Sequence, residues 1–365
     1  MEYPISFPKL NLEFTVKQTA FTIGGFSVQW YGVIIGIGFL LALIYAFSSV
    51  KKMNIDDDKL VDAVIGGILG GIIGARLYYV IFYDGQFFTE DTLMQNIVKL
   101  FSIHKGGLGF YGGLIGALIV GGLVAKWRKM NIPALFDLVA LGFLIGQGVG
   151  RWGNFVNQEA FGVETSLPWG MESIKTGGVP VHPCFLYESI ACLLGFVLLH
   201  IFTRKYRRYD GQTFLLYIVW YGLIRFFVEQ LRTDSLILPG GLRISVVVAA
   251  LCVIGGMAAL IVFRKRTSLT GCGNKTIMEE NNVVFGSVAK ERDEEKRRAK
   301  EEAESHSIIF DDEGENEDNS EDAIKLSDDE KSDKDTDKAA KAEDEKEKKA
   351  KTKKPDASEE TAEED

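Results

Sequence analysis

The chain has 365 residues and a formal charge of −9, an average that hides two unlike parts. Residues 275–365 hold 33 acidic and 18 basic residues, a balance of −15, which leaves residues 1–274 at +6. A basic, strongly apolar body with an acidic tail excludes an ordinary water-soluble globular domain. The sequence has no Gly-rich Walker loop, no dinucleotide fingerprint and no CxxC pair among Cys184, Cys192, Cys252 and Cys272, so no cofactor, metal or nucleic-acid partner is expected.

Residues 1–28 read as an amphipathic lead-in outside the membrane; they lack the basic, apolar and small-residue regions of a removable signal peptide. Seven apolar runs follow, at 29–49, 60–83, 107–126, 133–150, 184–203, 212–231 and 243–263. Each is close to the roughly 20 residues that a helix needs to cross a hydrocarbon core. The expected fold is therefore all-α, a polytopic bundle of about seven transmembrane helices over residues 29–266. Alternate loops carry the cations: Lys51, Lys52 and Lys59; Lys126, Arg128 and Lys129; Arg204, Lys205, Arg207 and Arg208; Arg264, Lys265 and Arg266. These loops should face the cytoplasm, which puts the N-terminus outside and the C-terminus inside. The charged tail, 275–365, is too poor in apolar residues to fold on its own and is expected to be disordered. Ending the chain after about Ser268 should then leave turnover intact.

Charge inside a bilayer is costly and marks either function or a partner within the protein. Arg76 ends the Gly-rich run GGILGGIIGAR, where it either snorkels to the interface or enters a cavity. The glycines there and in GGLGFYGGLIG read as close helix packing. GRWGNFVNQEAFG, Gly150–Gly162, leaves an apolar run and presents Arg151, Asn154, Asn157 and Glu159 among aromatics. VHPCFLYES brings His182, Tyr187 and Glu188 to the start of the fifth span as a weaker cluster. In YGLIRFFVEQLRTDS, at about 100° per residue, Tyr221, Arg225, Glu229 and Arg232 fall near 0°, 40°, 80° and 20°, on one narrow helical face. Such clusters describe a polar cavity inside a bundle. Arginine's planar fork suits phosphate, and the phosphate esters of a membrane are its lipid head groups.

These motifs together resemble the prolipoprotein diacylglyceryl transferase family. GRWGNFVNQEAFG is similar to the family signature, and WYG (Trp30–Gly32), GARLYYV (Gly74–Val80), GGLGFYGGLIG, HPCFLYES and YGLIRFFVEQLR follow in order over about residues 20–265. The resemblance implies transfer of a diacylglyceryl group from phosphatidylglycerol to the lipobox cysteine thiol of a bacterial prolipoprotein in the cytoplasmic (inner) membrane, with release of glycerol phosphate. It implies Arg151, Asn154, Asn157 and Glu159 from the signature, Tyr221, Arg225 and Glu229 from the sixth span, and Tyr31 as site residues. Arg232, Arg76 and His182 join them as substrate-binding candidates. Many members carry histidine in FHGGL where this chain has Tyr111 in FYGGL. The base is then Tyr111, Glu159 or His104. The competing class is a transporter of an anionic lipid or solute, because arginines also line permeation paths.

Overall fold

The structure is a computed structural model that describes residues 2–82, 107, 109–233 and 243–312; His104 lies outside these residues. It forms two units, 1–301 and 302–365. Within the first unit the apolar runs are helices: α1 (Trp30–Met53), α2 (Asp57–Phe82), α3 (Phe110–Trp127), α4 (Ile132–Asn157), α5 (Cys184–Lys205), α6 (Gln212–Leu231) and α7 (Ile244–Val262). Six of them are long and apolar enough to cross a membrane, and α3 is the shorter apolar helix among them. Their outward faces leave Leu69, Ile119, Leu251 and Ile254 more than half exposed. A continuous apolar surface of this kind is stable only against hydrocarbon, and helices satisfy their own backbone hydrogen bonds there. The protein is a multi-pass membrane protein.

Small residues set the packing. α2 lies against α3, α1 against α4, and α6 against α7. A Cβ placed on Gly70 would sit 2.5 Å from the Gly116 carbonyl oxygen, so these backbones meet with no room for a side chain. The glycine runs of α2 and α3 are thus packing surfaces, as small residues are between membrane helices generally.

The lead-in is not a helix. Apolar and polar residues alternate along it with period two, the strand signal. β1 (Glu2–Phe7) pairs antiparallel with β2 (Leu12–Lys17), and β3 (Thr19–Ile23) pairs with β4 (Phe26–Gln29), which runs into α1. The other edge of β1 pairs with β5 (Glu172–Ser173), from the segment between α4 and α5. Ile5 and Phe7 are buried with Met171, Val181 and Phe185, and Phe155 and Phe161 pack onto the same cluster. The N-terminal strands therefore brace the Gly150–Gly162 segment.

The opposite end of the bundle is held by a fully buried ion pair. Arg207 Nη1 donates to Asp137 Oδ2 at 2.7 Å, and Asp137 also accepts from the amides of Gly211 and Phe214, both at 2.8 Å. One carboxylate so neutralises an arginine and satisfies the free amides that begin α6. Arg207 Nε donates to the Cys272 carbonyl oxygen at 3.0 Å, and the Cys272 amide donates to Lys52 at 2.8 Å.

The start of the tail is ordered, against the expectation from its composition. Lys275–Glu280 forms α8 and Ser287–Asp312 forms α9. Arg292 reaches Asp56, Asp57 and Asp58 at the start of α2, and Lys296 pairs with Asp58 at 2.7 Å. Fixed partners supply the order that the segment's own few apolar residues do not. Residues 313–365 lie outside the described residues.

The expectation about truncation changes accordingly. A chain ended after Glu301 should keep the melting temperature of the full chain in detergent, and one ended after Ser268 should melt at a clearly lower temperature. Equal melting of the two would show that the 269–301 segment contributes no stability. Asp137→Ala should cost about 3–5 kcal/mol, the usual effect of breaking a buried ion pair, read as a lower thermal midpoint; Arg207 would keep only Asp210, at 3.4 Å, and the Cys272 carbonyl.

Candidate functional site

At the other end of the bundle α4, α5 and α6 converge on one carboxylate. Glu188, 1% exposed, sits one turn into α5. Arg225 Nη1 from α6 donates to its Oε1 at 2.9 Å, and Arg151 Nη2 from α4 lies 2.6 Å from its Oε2. That second approach is an ion pair by distance, with no N–H aligned on the oxygen. Arg225 Nη2 also donates to Glu229 Oε2 at 2.5 Å, the i,i+4 neighbour on its own helix. Arg232 Nη1 stands 3.9 Å from Glu188 Oε1. The narrow face of Tyr221, Arg225 and Glu229 expected from helical spacing is therefore the wall of this network.

The surrounding bonds fix the geometry. Trp152 Nε1 donates to Ser189 Oγ at 3.2 Å and Ser189 Oγ donates to the Gly148 carbonyl at 2.7 Å, which fastens α4 to α5 beside Glu188. Gln147 Nε2 donates to Tyr217 Oη at 2.9 Å, and the Tyr217 ring stacks on Tyr221 with centroids 6.0 Å apart. Tyr221 Oη then accepts from Arg151 Nη2 at 3.5 Å, while Arg151 Nη1 donates to Asn154 Oδ1 at 3.4 Å.

The chain reverses after α4 through left-handed Gln158 (φ 53°) and Ala160 (φ 57°). Glu159 is turned back so that its Oε1 accepts from Asn154 Nδ2 at 3.0 Å and Asn157 Nδ2 at 3.3 Å. The signature residues thus form one hydrogen-bonded string running from Arg151 to Glu159. Tyr31, at the start of α1, lies over Gly153; a Cβ there would come within 2.7 Å of its ring.

Gly162 threads between two helix ends. Its amide donates to the His182 carbonyl at 2.9 Å, and the Val163 amide donates to the Leu231 carbonyl at 2.8 Å. This short backbone pairing places Arg232 against Glu188. The His182 side chain faces a different partner: Nδ1 lies 3.1 Å from Tyr187 Oη, which accepts from Trp169 Nε1 at 2.8 Å.

Two candidates sit elsewhere. Arg76 is buried, not snorkelling; it donates to the Gly107 carbonyl at 2.9 Å and lies over the Tyr79 ring. Tyr111 is 56% exposed, with its ring 6.3 Å from that of Tyr78. These contacts place both on the α2–α3 pair, whereas the Glu188 network is built from α4, α5 and α6.

Glu188 is the residue that sequence reasoning underrated. A signal was present: Asp137, Glu188 and Glu229 are the only acidic residues within α4, α5 and α6, and Asp137 is committed to Arg207 at the far end. The counterions for Arg151 and Arg225 had to be sought among the other two, because an intramembrane charge needs a partner.

A multi-pass helical bundle with arginines clustered on enclosed carboxylates defines a class: a membrane-embedded protein with a site for an anionic group. A family model described as prolipoprotein diacylglyceryl transferase matches residues 18–262. The phosphatidylglycerol--prolipoprotein diacylglyceryl transferase of Clostridioides difficile is 41% identical over 251 residues, 69% of this chain and 97% of the relative. Proteins of the same name from Finegoldia magna, at 38% over 69% of this chain and 97% of the relative, and Bacillus cereus, at 42% over 68% and 93%, are similarly related. The chain belongs to the prolipoprotein diacylglyceryl transferase family and is a transferase, which sets the transporter reading aside.

Gly162 gives a sharp test of the threading. A Cβ there would lie 2.8 Å from His182 Cβ, 2.9 Å from Cys184 Sγ and 3.0 Å from the Leu231 carbonyl oxygen. None of these is the loose end of a flexible side chain. Gly162→Ala should push the segment off the ends of α5 and α6 and abolish most activity while the protein still inserts. Activity equal to wild type in a membrane assay would show that the close approach is not needed.

Proposed function

We propose that this chain transfers the diacylglyceryl group of phosphatidylglycerol to the lipobox cysteine thiol of a bacterial prolipoprotein, and that Arg151 and Arg225 bind the phosphate. The observation that carries the assignment is the convergence of these arginines from separate helices on Glu188, with Arg232 at its edge. The protein acts within the bacterial cytoplasmic membrane, with the cation-rich loops inside and the Glu188 network toward the outer side.

The chemistry follows from what each group can do. The cysteine sulfur, as thiolate, attacks the glycerol carbon that bears the phosphate ester. The S–C bond forms as that C–O bond breaks, and its electron pair leaves on the phosphate oxygen. Glycerol phosphate departs, and the proton lost by the thiol ends on the phosphate. Negative charge grows on the departing group, so positioned guanidiniums stabilise the transition state more than the ground state. Asn154 and Asn157, held by Glu159, present amides to head-group hydroxyls or to the substrate backbone, with Tyr31 packed over Gly153 beside them in the chain. Glu159 is engaged by two amide donors, which favours a holding role for it over that of base. Tyr111, on the exposed side of α3, is assigned to positioning the lipid.

The direct test supplies purified protein in liposomes with phosphatidylglycerol and a lipobox peptide, and reads thioether product by mass spectrometry alongside released glycerol phosphate. Lipid consumed without thioether, or thioether formed without the cysteine, would refute the proposal. Arg151→Lys and Arg225→Lys keep the charge and lose the fork, and each should lower the rate about 100- to 1000-fold; rates within about threefold of wild type would make these arginines structural. Tyr111→Phe should retain measurable activity and the wild-type pH profile. Loss of the alkaline-rising limb in a folded Tyr111→Phe protein would instead identify the hydroxyl as the base.

A further inference from the structure

A second basic cluster lies where α1 and α5 end, on the side of the bundle away from Glu188. Arg204 and Arg207 stand three positions apart there and are treated differently. Arg207 has Asp137 at 2.7 Å and Asp210 at 3.4 Å. Arg204 is half-buried, yet no carboxylate among the described residues lies within ion-pair distance of it. Its Nη2 donates to Ser49 Oγ at 3.0 Å, and its Nη1 reaches the Cys272 sulfur, a weak acceptor, at 3.9 Å. One turn deeper, Tyr45 Oη meets His200 Nδ1 at 2.7 Å. Helical spacing explains the gathering: Tyr45, Ser49 and Lys52 share one face of α1, and His200 and Arg204 share one face of α5. Neither helix offers an acid at this end. α1 has none, and Glu188, the one in α5, lies 16 positions before Arg204, about 24 Å along the helix.

We propose that this cluster binds the phosphate of an anionic lipid in the cytoplasmic leaflet, a lipid that is held and not consumed. A guanidinium drawn partly out of water needs an anion, and where the protein supplies none the nearest in a membrane is a lipid phosphate. Basic pockets between helices on the cytoplasmic side are where anionic head groups bind. Arg204 has the donors for this, because Ser49 takes one edge of its fork and a thiol holds the other only weakly. Lys52 adds a second charge from the same face of α1 as Ser49. The walls suit a lipid better than inorganic phosphate. Leu41 on α1 and Val197 on α5, one turn further into the bilayer on these faces, are exposed and lie where acyl chains run. The site uses the orientation of the bundle given above and does not depend on the transfer reaction.

The test places the full-length protein in phosphatidylcholine liposomes with a trace of phosphatidylglycerol or phosphatidylcholine, each bearing the same photoreactive acyl chain, and maps cross-links by mass spectrometry. Phosphatidylglycerol should label the cytoplasmic halves of α1 and α5 at least about fivefold more than phosphatidylcholine does, the usual effect of a basic residue at a membrane surface. Arg204→Gln should lower that labelling about fivefold, while labelling near Arg151 and thioether turnover stay as in wild type. Equal labelling by the two lipids would mean an ordinary boundary lipid and overturn the proposal, as would labelling unchanged in Arg204→Gln. Excess inorganic phosphate should leave the labelling as it is; displacement by it would assign the cluster to a free anion and overturn the lipid assignment. Should Arg204→Gln fail to fold, Lys52→Gln, at an exposed position, takes its place with a loss of labelling expected again, and unchanged labelling there overturns the proposal. Wild-type protein that makes no thioether but is labelled at the ends of α1 and α5 would refute the transfer reaction and leave this site standing.

Discussion

A guanidinium drawn out of water into a membrane bundle must find an anion inside the protein, and the rest of this site depends on how that need is met. Desolvating a charge costs several kcal/mol unless paired and hydrogen-bonded. Here Glu188 is shared between Arg151 of α4 and Arg225 of α6, and Glu229 supports Arg225 from one turn away. The sharing makes α5 the hinge-pin of the arrangement: it carries the carboxylate, and the helices on either side carry the cations. Everything else positions this trio. The Trp152–Ser189–Gly148 chain locks α4 to α5, and the Tyr217–Tyr221 stack sets the wall of α6.

The two ends of the bundle solve the same electrostatic problem to different purposes. At the far end Asp137 and Arg207 are both fully buried, and the carboxylate is saturated by one guanidinium and two amides. No capacity remains for a ligand. At the Glu188 end the arginines are partly open.

Much of this was legible in the sequence, for physical reasons. A helix that must cross hydrocarbon needs an uninterrupted apolar length, so α1 to α7 announce themselves, and helical periodicity alone gathers Tyr221, Arg225 and Glu229 on one face. The signature string from Arg151 to Glu159 was visible because short-range spacing largely sets its contacts. What was not legible depends on long-range pairing. β1 to β4 were read as one amphipathic lead-in because short strands carry a weak signal and their partner β5 lies far along the chain. The central place of Glu188 is set by where α5 packs. The order in α8 and α9 comes from Asp56, Asp57 and Asp58, which no composition rule connects with Arg292. Arg76, chosen as a charge within a span, and Tyr111, chosen because it stands where many family members have histidine, lie on α2 and α3, and their contacts there depend on how those two helices pack.

The pairing of Ile5 with Ser173 has a consequence for the order in which the enzyme is made. The two partners leave the ribosome 168 positions apart, so at about 5–20 residues per second β1 waits roughly 8–34 s for β5. Until then it has only β2, and an isolated two-stranded hairpin is marginal in water. Ile5 and Phe7 reach their apolar partners only once Met171, Val181 and Phe185 have emerged and α5 has been inserted. The first segment to be synthesised thus waits for the middle of the chain, and it closes over the Gly150–Gly162 turn only when the start of α5, which carries Glu188, has been made. Newly inserted chains therefore pass through a stage in which α1 and α4 already span the bilayer while the roof above them is still open to water.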